Sequence, residues 1–167
     1  MSISVEIEDV LARPVAAVRR RMRQPEIAAG FREPLDEVWR FVREHSELRP
    51  DHNVFIYHPA QDCAEGMDID FGVEVAHPFA GEGDVRYVTM PAGRAATALH
   101  IGPYDRLVET HTGVQRWCAA NEYELAGVSW EIYGHWNDDP ARLETRVGYL
   151  LRQRDAHLSG GTPRPSR

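Results

Sequence analysis

The chain has 167 residues, with 43% hydrophobic and 27% charged side chains, and is the size of one domain able to bury a core without staples. It carries 26 acidic and 19 basic residues, for a net charge of -7, which argues against a dedicated nucleic-acid binder. Every basic residue is arginine, so Schiff-base chemistry and a phosphate-loop lysine are excluded.

In chain order, residues 3–8 alternate apolar and polar, as a half-buried strand does. Pro14 opens a second strand, 15–22. Leu35, Val38, Trp39 and Val42 recur at helical spacing, with Pro34 in the first turn; a start at Pro25 would make Pro34 a kink. Strands follow at 54–57 and 69–75. The same order then returns: strands at 85–90 and 95–100, and a helix opened by Gly102-Pro103 with Leu107, His111, Val114, Trp117 and Cys118 on one stripe. Strands at 128–136 and 145–151 close the series. Pro14 and Pro91 are 77 residues apart, and Trp39 and Trp117 are 78 apart. A duplicated strand-strand-helix-strand-strand unit accounts for both.

The expected fold is therefore α+β, an eight-stranded, mostly antiparallel sheet of two units joined edge to edge. Two main helices cover one face and leave the other open for a ligand. The expected ligand-binding domain spans 1–155, with halves at about 1–78 and 84–152, and a Gly/Pro/Ser-rich tail at 156–167 reads as disordered.

The stretch from Val128 to Trp136 is the most informative. Alternation sets Val128, Trp130, Ile132 and Trp136 on one face and Ser129, Glu131, Tyr133 and His135 on the other. A carboxylate among aromatics needs a partner, or burial raises its pKa. A cationic ligand, held also by ring faces, would supply that partner. Glu131 could equally serve as a general acid or base, or pair with an arginine.

The run Ala96-Thr97-Ala98-Leu99-His100-Ile101-Gly102-Pro103-Tyr104, then Trp117, Trp130-Glu131-Ile132-Tyr133 and residues 145–151, resembles the GyrI-like small-molecule-binding family. This is the effector-binding domain also fused to AraC- and MerR-type multidrug regulators of bacteria. The resemblance implies the duplicated fold, an acidic pocket residue at Glu131 and an aromatic neighbour at Tyr133. The chain departs after that motif, where 134–138 precede the Asp139-Pro140 turn, which leaves His135 a ligand-binding candidate on weaker ground. A 78-residue offset places Phe55 opposite Tyr133 and Tyr57 opposite His135, which makes both aromatics pocket candidates. Trp39 and Trp117 are further candidates, reaching over the cleft from the helices. The pocket is expected on the helix-free face at the junction of the halves.

The function expected is a stand-alone binder of lipophilic, cationic compounds, anchored by Glu131. Two alternatives remain: a hydrolase of a strained-ring molecule using Glu131 and Tyr133 as catalytic groups, and an inhibitor of the DNA gyrase-protecting type that binds a protein partner. With no helix-turn-helix region read in the chain, operator binding by itself is not expected. The histidines include no His-Glu-x-x-His and no tight pair with a cysteine, so no metal is expected. No other cofactor is expected either; for haem, His58 and His77 are the axial candidates to examine. No membrane-spanning run and no secretory signal are visible, and Cys63 and Cys118 read as reduced thiols, so a cytoplasmic location is expected. The Arg19–Arg23 cluster reads as a solvated edge.

Overall fold

A computed structural model describes residues 3–60 and 63–154. The expected tail at 156–167 lies outside the described residues. The elements in chain order are β1 (Glu6–Val10), β2 (Pro14–Met22), α1 (Gln24–Gly30), α2 (Arg32–Glu44), β3 (Asn53–Tyr57), β4 (Met67–Glu74), β5 (Arg86–Thr89), β6 (Gly93–Ile101), α3 (Leu107–Ala120), β7 (Leu125–Tyr133) and β8 (Glu144–Leu151). The chain is an α+β structure with one eight-stranded antiparallel sheet in the order β1-β6-β8-β7-β3-β4-β2-β5.

Several element ends move relative to the sequence reading. The first strand starts and pairs from Glu6, three residues later than expected. The helical region divides at Phe31 into α1, with Pro25 at its start, and α2, with Pro34 in its first turn. Each proline thus stands where a missing N–H costs nothing. Gly102-Pro103 leads into a single 3-10 turn, Tyr104–Arg106, before α3. Gly102 holds φ at +139°, a value that glycine alone tolerates easily. Trp136 lies beyond the end of β7 and is 74% exposed, so the alternation extrapolated one residue pair too far.

The strand order reads the same from either end if strands one to four are exchanged for five to eight. The halves are not joined simply edge to edge, however. β1 pairs with β6 of the other half, and β5 pairs with β2. This exchange dictates the shape of the sheet. β1 and β2 are six strand spacings apart, about 29 Å along a flat sheet. The connection from Val10 to Pro14 can reach only about 15 Å. The same holds between β5 and β6. The sheet therefore curls until its two edges approach each other.

Curling decides which face remains open. On the inner, helix-free face, Val15, Ala17, Val54, Ile56, Met90, Ala95 and Trp130 form a buried cluster. Gly148 lies opposite Trp130, and a side chain there would collide with the indole ring. The expectation of a ligand on this face is therefore corrected: it is filled by core. The outer face carries α2, packed over Ala16, Val18, Phe55, Phe71 and Val73, and α3, packed over Ala96, Ala98, Val147 and Tyr149.

The arginine run lies on β2 past Ala17, where pairing with β5 stops and the strand becomes an edge. Its guanidinium groups are paired rather than merely solvated. Arg19 meets Asp70, Arg20 meets Glu33, Glu37 and Asp84, Arg21 meets Asp68 and Glu65, and Arg23 meets Glu26.

Candidate functional site

The central strands β3 and β7 pair with Phe55 opposite Glu131 and Tyr57 opposite Ser129. The 78-residue offset had set these aromatics against Tyr133 and His135; the strand pairing sets them against Glu131 and Ser129 instead. Alternation nevertheless puts Phe55, Tyr57, Glu131 and Tyr133 on the same, helix-bearing face. Tyr133 packs against both helix-covered clusters, so this group sits between the α2 and α3 territories.

Glu131 is 5% exposed. Its Oε2 accepts hydrogen bonds from Tyr57 Oη at 2.8 Å and from Tyr133 Oη, and its Oε1 is bonded to His111 Nε2 at 2.7 Å. An ionised carboxylate can only accept, so Nε2 carries the proton. His111 Nδ1 lies 2.7 Å from Tyr149 Oη. In the neutral ring that phenol donates to Nδ1, giving a directed chain from Tyr149 through His111 to Glu131.

The charge state follows from competing influences. Desolvation is the largest single influence on Glu131 and pushes its carboxyl up. The His111 hydrogen bond and charge, with the Tyr133 and Tyr57 hydroxyls, push the other way and prevail, so the carboxyl lies below its usual range. The expected raised pKa is corrected, because internal donors supply what lysine could not. Burial first, then the Glu131 charge, pushes the hydroxyls of Tyr57, Tyr133 and Tyr149 up, so all three remain protonated donors.

Aromatic rings enclose the carboxylate. The rings of Phe55 and Tyr133 are 5.0 Å apart, those of Tyr104 and Tyr133 are 5.4 Å apart, and Phe31 lies 5.8 Å from Phe55. Tyr104 is positioned by the corner before α3, where His100 bonds Thr110 at 2.8 Å and the Pro103 carbonyl at 3.0 Å.

The other candidates stand apart. Trp39 donates to Asn53 Oδ1 at 2.8 Å, and Trp117 stacks on Tyr123 at 5.6 Å. His135 packs against His52 instead of Glu131. Of the haem candidates, His58 bonds Asp70, and His77 bonds backbone carbonyls. Cys118 is buried, and burial pushes its thiol up, as suits an inert group. Sequence reading missed His111 and Tyr149 as site residues. His111 was visible as a polar residue on the apolar stripe of α3, a signal that a buried partner awaited it.

The profile of the GyrI-like small molecule binding domain matches residues 3–149. The chain belongs to this family. Among solved structures, the EcmrR C-terminal domain shares 22% identity and a TM-score of 0.75, covering 92% of this chain and 100% of that one. In the EcmrR–DNA complex the match has 20% identity and a TM-score of 0.78, and it spans only 59% of that longer chain. SAV2435 bound to tetraphenylphosphonium shares 10% identity, with a TM-score of 0.67 over 93% of this chain and 98% of that one. A hydrolase from Listeria innocua shares 11% identity, with a TM-score of 0.55 over 90% of this chain and 93% of that one. No curated protein matches the sequence. Among the described residues, no helix is long and apolar enough to cross a membrane.

Replacing His111 by Leu tests the electrostatic balance. With its strongest counterweight gone, desolvation should dominate and the Glu131 carboxyl should titrate higher than in the unaltered protein. The carboxyl carbon resonance followed by NMR against pH reads this directly. An unchanged midpoint would show that the phenols alone keep the group ionised.

Proposed function

We propose that this GyrI-like domain binds lipophilic cations at the Glu131 site. The observation that carries the reading is a buried, ionised carboxylate enclosed by the rings of Phe55, Tyr57, Tyr104 and Tyr133. A quaternary cation has no hydrogen-bond donors, so it need not displace the phenols or His111 from the carboxylate oxygens. It needs only nearby negative charge and aromatic faces, which add about 0.5–2 kcal/mol per good cation–π contact. SAV2435, which shares the fold, is bound to tetraphenylphosphonium, a lipophilic cation without hydrogen-bond donors, and this supports the reading. Entry requires Tyr104, which is part-exposed on the rim, to swing off Tyr133. The test is titration calorimetry with tetraphenylphosphonium and a neutral triaryl phosphine oxide. Binding of the cation at micromolar Kd, about 8 kcal/mol, and at least tenfold weaker binding of the neutral compound are expected. Equal affinity for both would remove the charge from the argument.

The chain from Tyr149 through His111 to Glu131 favours hydrolysis as the second reading. A carboxylate backed by an imidazole can take a proton from water as the water oxygen bonds to a carbon of a strained ring; that carbon's bond to the departing atom breaks, and Tyr133 protonates the departing atom. Turnover of such an electrophile, reduced by two to four orders of magnitude in Glu131→Gln, would support it. No turnover across a panel of strained rings would leave binding alone.

A further inference from the structure

We propose that Asp51, His52 and His135 form a binding site for a divalent transition-metal ion, of which zinc is the best fit. The residues flank the two central strands. His52 immediately precedes β3, and His135 lies two residues past the end of β7. Strand pairing brings these distant stretches together, so no spacing motif announces them. The donor atoms of all three residues lie within 4.8 Å of one another. The His52 and His135 rings approach to 4.8 Å between centroids.

The distances within the cluster argue for a shared ion rather than hydrogen bonding. His52 Nδ1 lies 3.4 Å from Asp51 Oδ1 and 3.4 Å from Glu74 Oε2. Both are longer than the usual 2.7–3.2 Å of a good N–H···O bond. Two donors bound to one tetrahedral zinc at about 2.1 Å stand about 3.4 Å apart. Bringing His135 from within 4.8 Å to the same spacing takes a side-chain movement of at most about 1.4 Å, available to an exposed ring.

Glu74 supplies an independent observation. It is 7% exposed, and its Oε1 has no hydrogen-bond partner, although Arg13 Nη1 stands 2.9 Å away in a poor orientation. Its other oxygen faces His52. A buried carboxylate held by the Arg13 ion pair and a long contact to His52, with no hydrogen bond to Oε1, is only partly satisfied. A cation held by His52 and Asp51 would satisfy it further, with Glu74 as the fourth ligand or as a partner to the ligating imidazole. Two imidazoles and one or two carboxylates suit zinc, nickel or cobalt(II) and not calcium or magnesium. The ion would tie the start of β3 to the chain leaving β7, across the junction of the halves. The site is separate from Glu131, whose ligands the metal would not touch.

The full chain, stripped of metal with a chelator, is titrated with zinc by calorimetry and with cobalt(II) by visible absorption. One ion per chain is expected, with a zinc Kd in the micromolar range. His135→Ala and His52→Ala should each weaken binding at least tenfold. His77→Ala, whose ring bonds only backbone carbonyls away from the cluster, should bind as the unaltered protein does. His135 is exposed, so its variant keeps the fold even if the His52 variant does not. No stoichiometric uptake by folded protein, or uptake unchanged in His135→Ala, would overturn the proposal.

Discussion

Glu131→Gln is expected to weaken tetraphenylphosphonium binding by about two orders of magnitude, and to change the affinity of a neutral triaryl phosphine oxide by less than about threefold. The substitution keeps size and leaves an amide oxygen for the phenols, while removing the charge. Breaking one side of a buried ion pair commonly costs about 3–5 kcal/mol. Part of that is recovered here, because the carboxylate's own desolvation disappears with its charge. What remains, about 2–3 kcal/mol, corresponds to the hundredfold change. Calorimetry on both ligands, with the unaltered protein alongside, provides the comparison. Equal small losses for the two ligands would mean that the carboxylate only supports the fold, held by His111, Tyr57 and Tyr133.

Strand positions and faces were legible because period-two alternation is local: Glu131 and Tyr133 share a face wherever the strand lies. The repeat was legible too, since each half reads in the same order of two strands, helix and two strands. What the sequence concealed was non-local. Exchange of β1 and β5 between the halves depends on which edges meet, and no residue in either strand specifies its partner. That exchange curls the sheet and fills the inner face with Trp130, Ile56 and Val15, which moves the site to the outer face. The sequence reading put Glu131 and Tyr133 on one strand face, as the structure does, but took that face for the helix-free one.

The sign of the Glu131 shift failed for a related reason. Its neighbours in sequence are aromatic, and aromatics alone would raise the pKa. The opposing group is His111, twenty residues earlier, brought over the strand by α3. Tyr57 and Tyr133 act as apolar rings or as hydrogen-bond donors according to where their hydroxyls point, and alternation does not show that. The same limitation hid the cluster of Asp51, His52 and His135, which a one-dimensional search for ligand spacing passes over.

A second large effect is expected at Asp70, on the inner side of β4. Its carboxylate accepts from Arg19 Nε and Nη2, each at 2.9 Å, and lies 2.7 Å from His58 Nε2. Desolvation is the largest influence and pushes the carboxyl up, but the His58 and Arg19 bonds and charges outweigh it, bringing the pKa from 3.8 down to about 2. A carboxyl whose pKa is lower folded than unfolded stabilises the protein above its unfolded value. That stability is lost as pH falls from about 4 to about 2, and it amounts to about 2 kcal/mol at 1.36 kcal/mol per unit. Asp70→Asn should therefore lower the urea-unfolding free energy at pH 7 by at least this much. The excess should be modest, because the Arg19 side chain is 38% exposed and can turn to water once its partner is neutral. Near pH 2 the two proteins should converge to within about 1 kcal/mol, since the native carboxyl is by then half protonated. A gap that stayed constant from pH 7 to pH 2 would assign the loss to packing instead of charge.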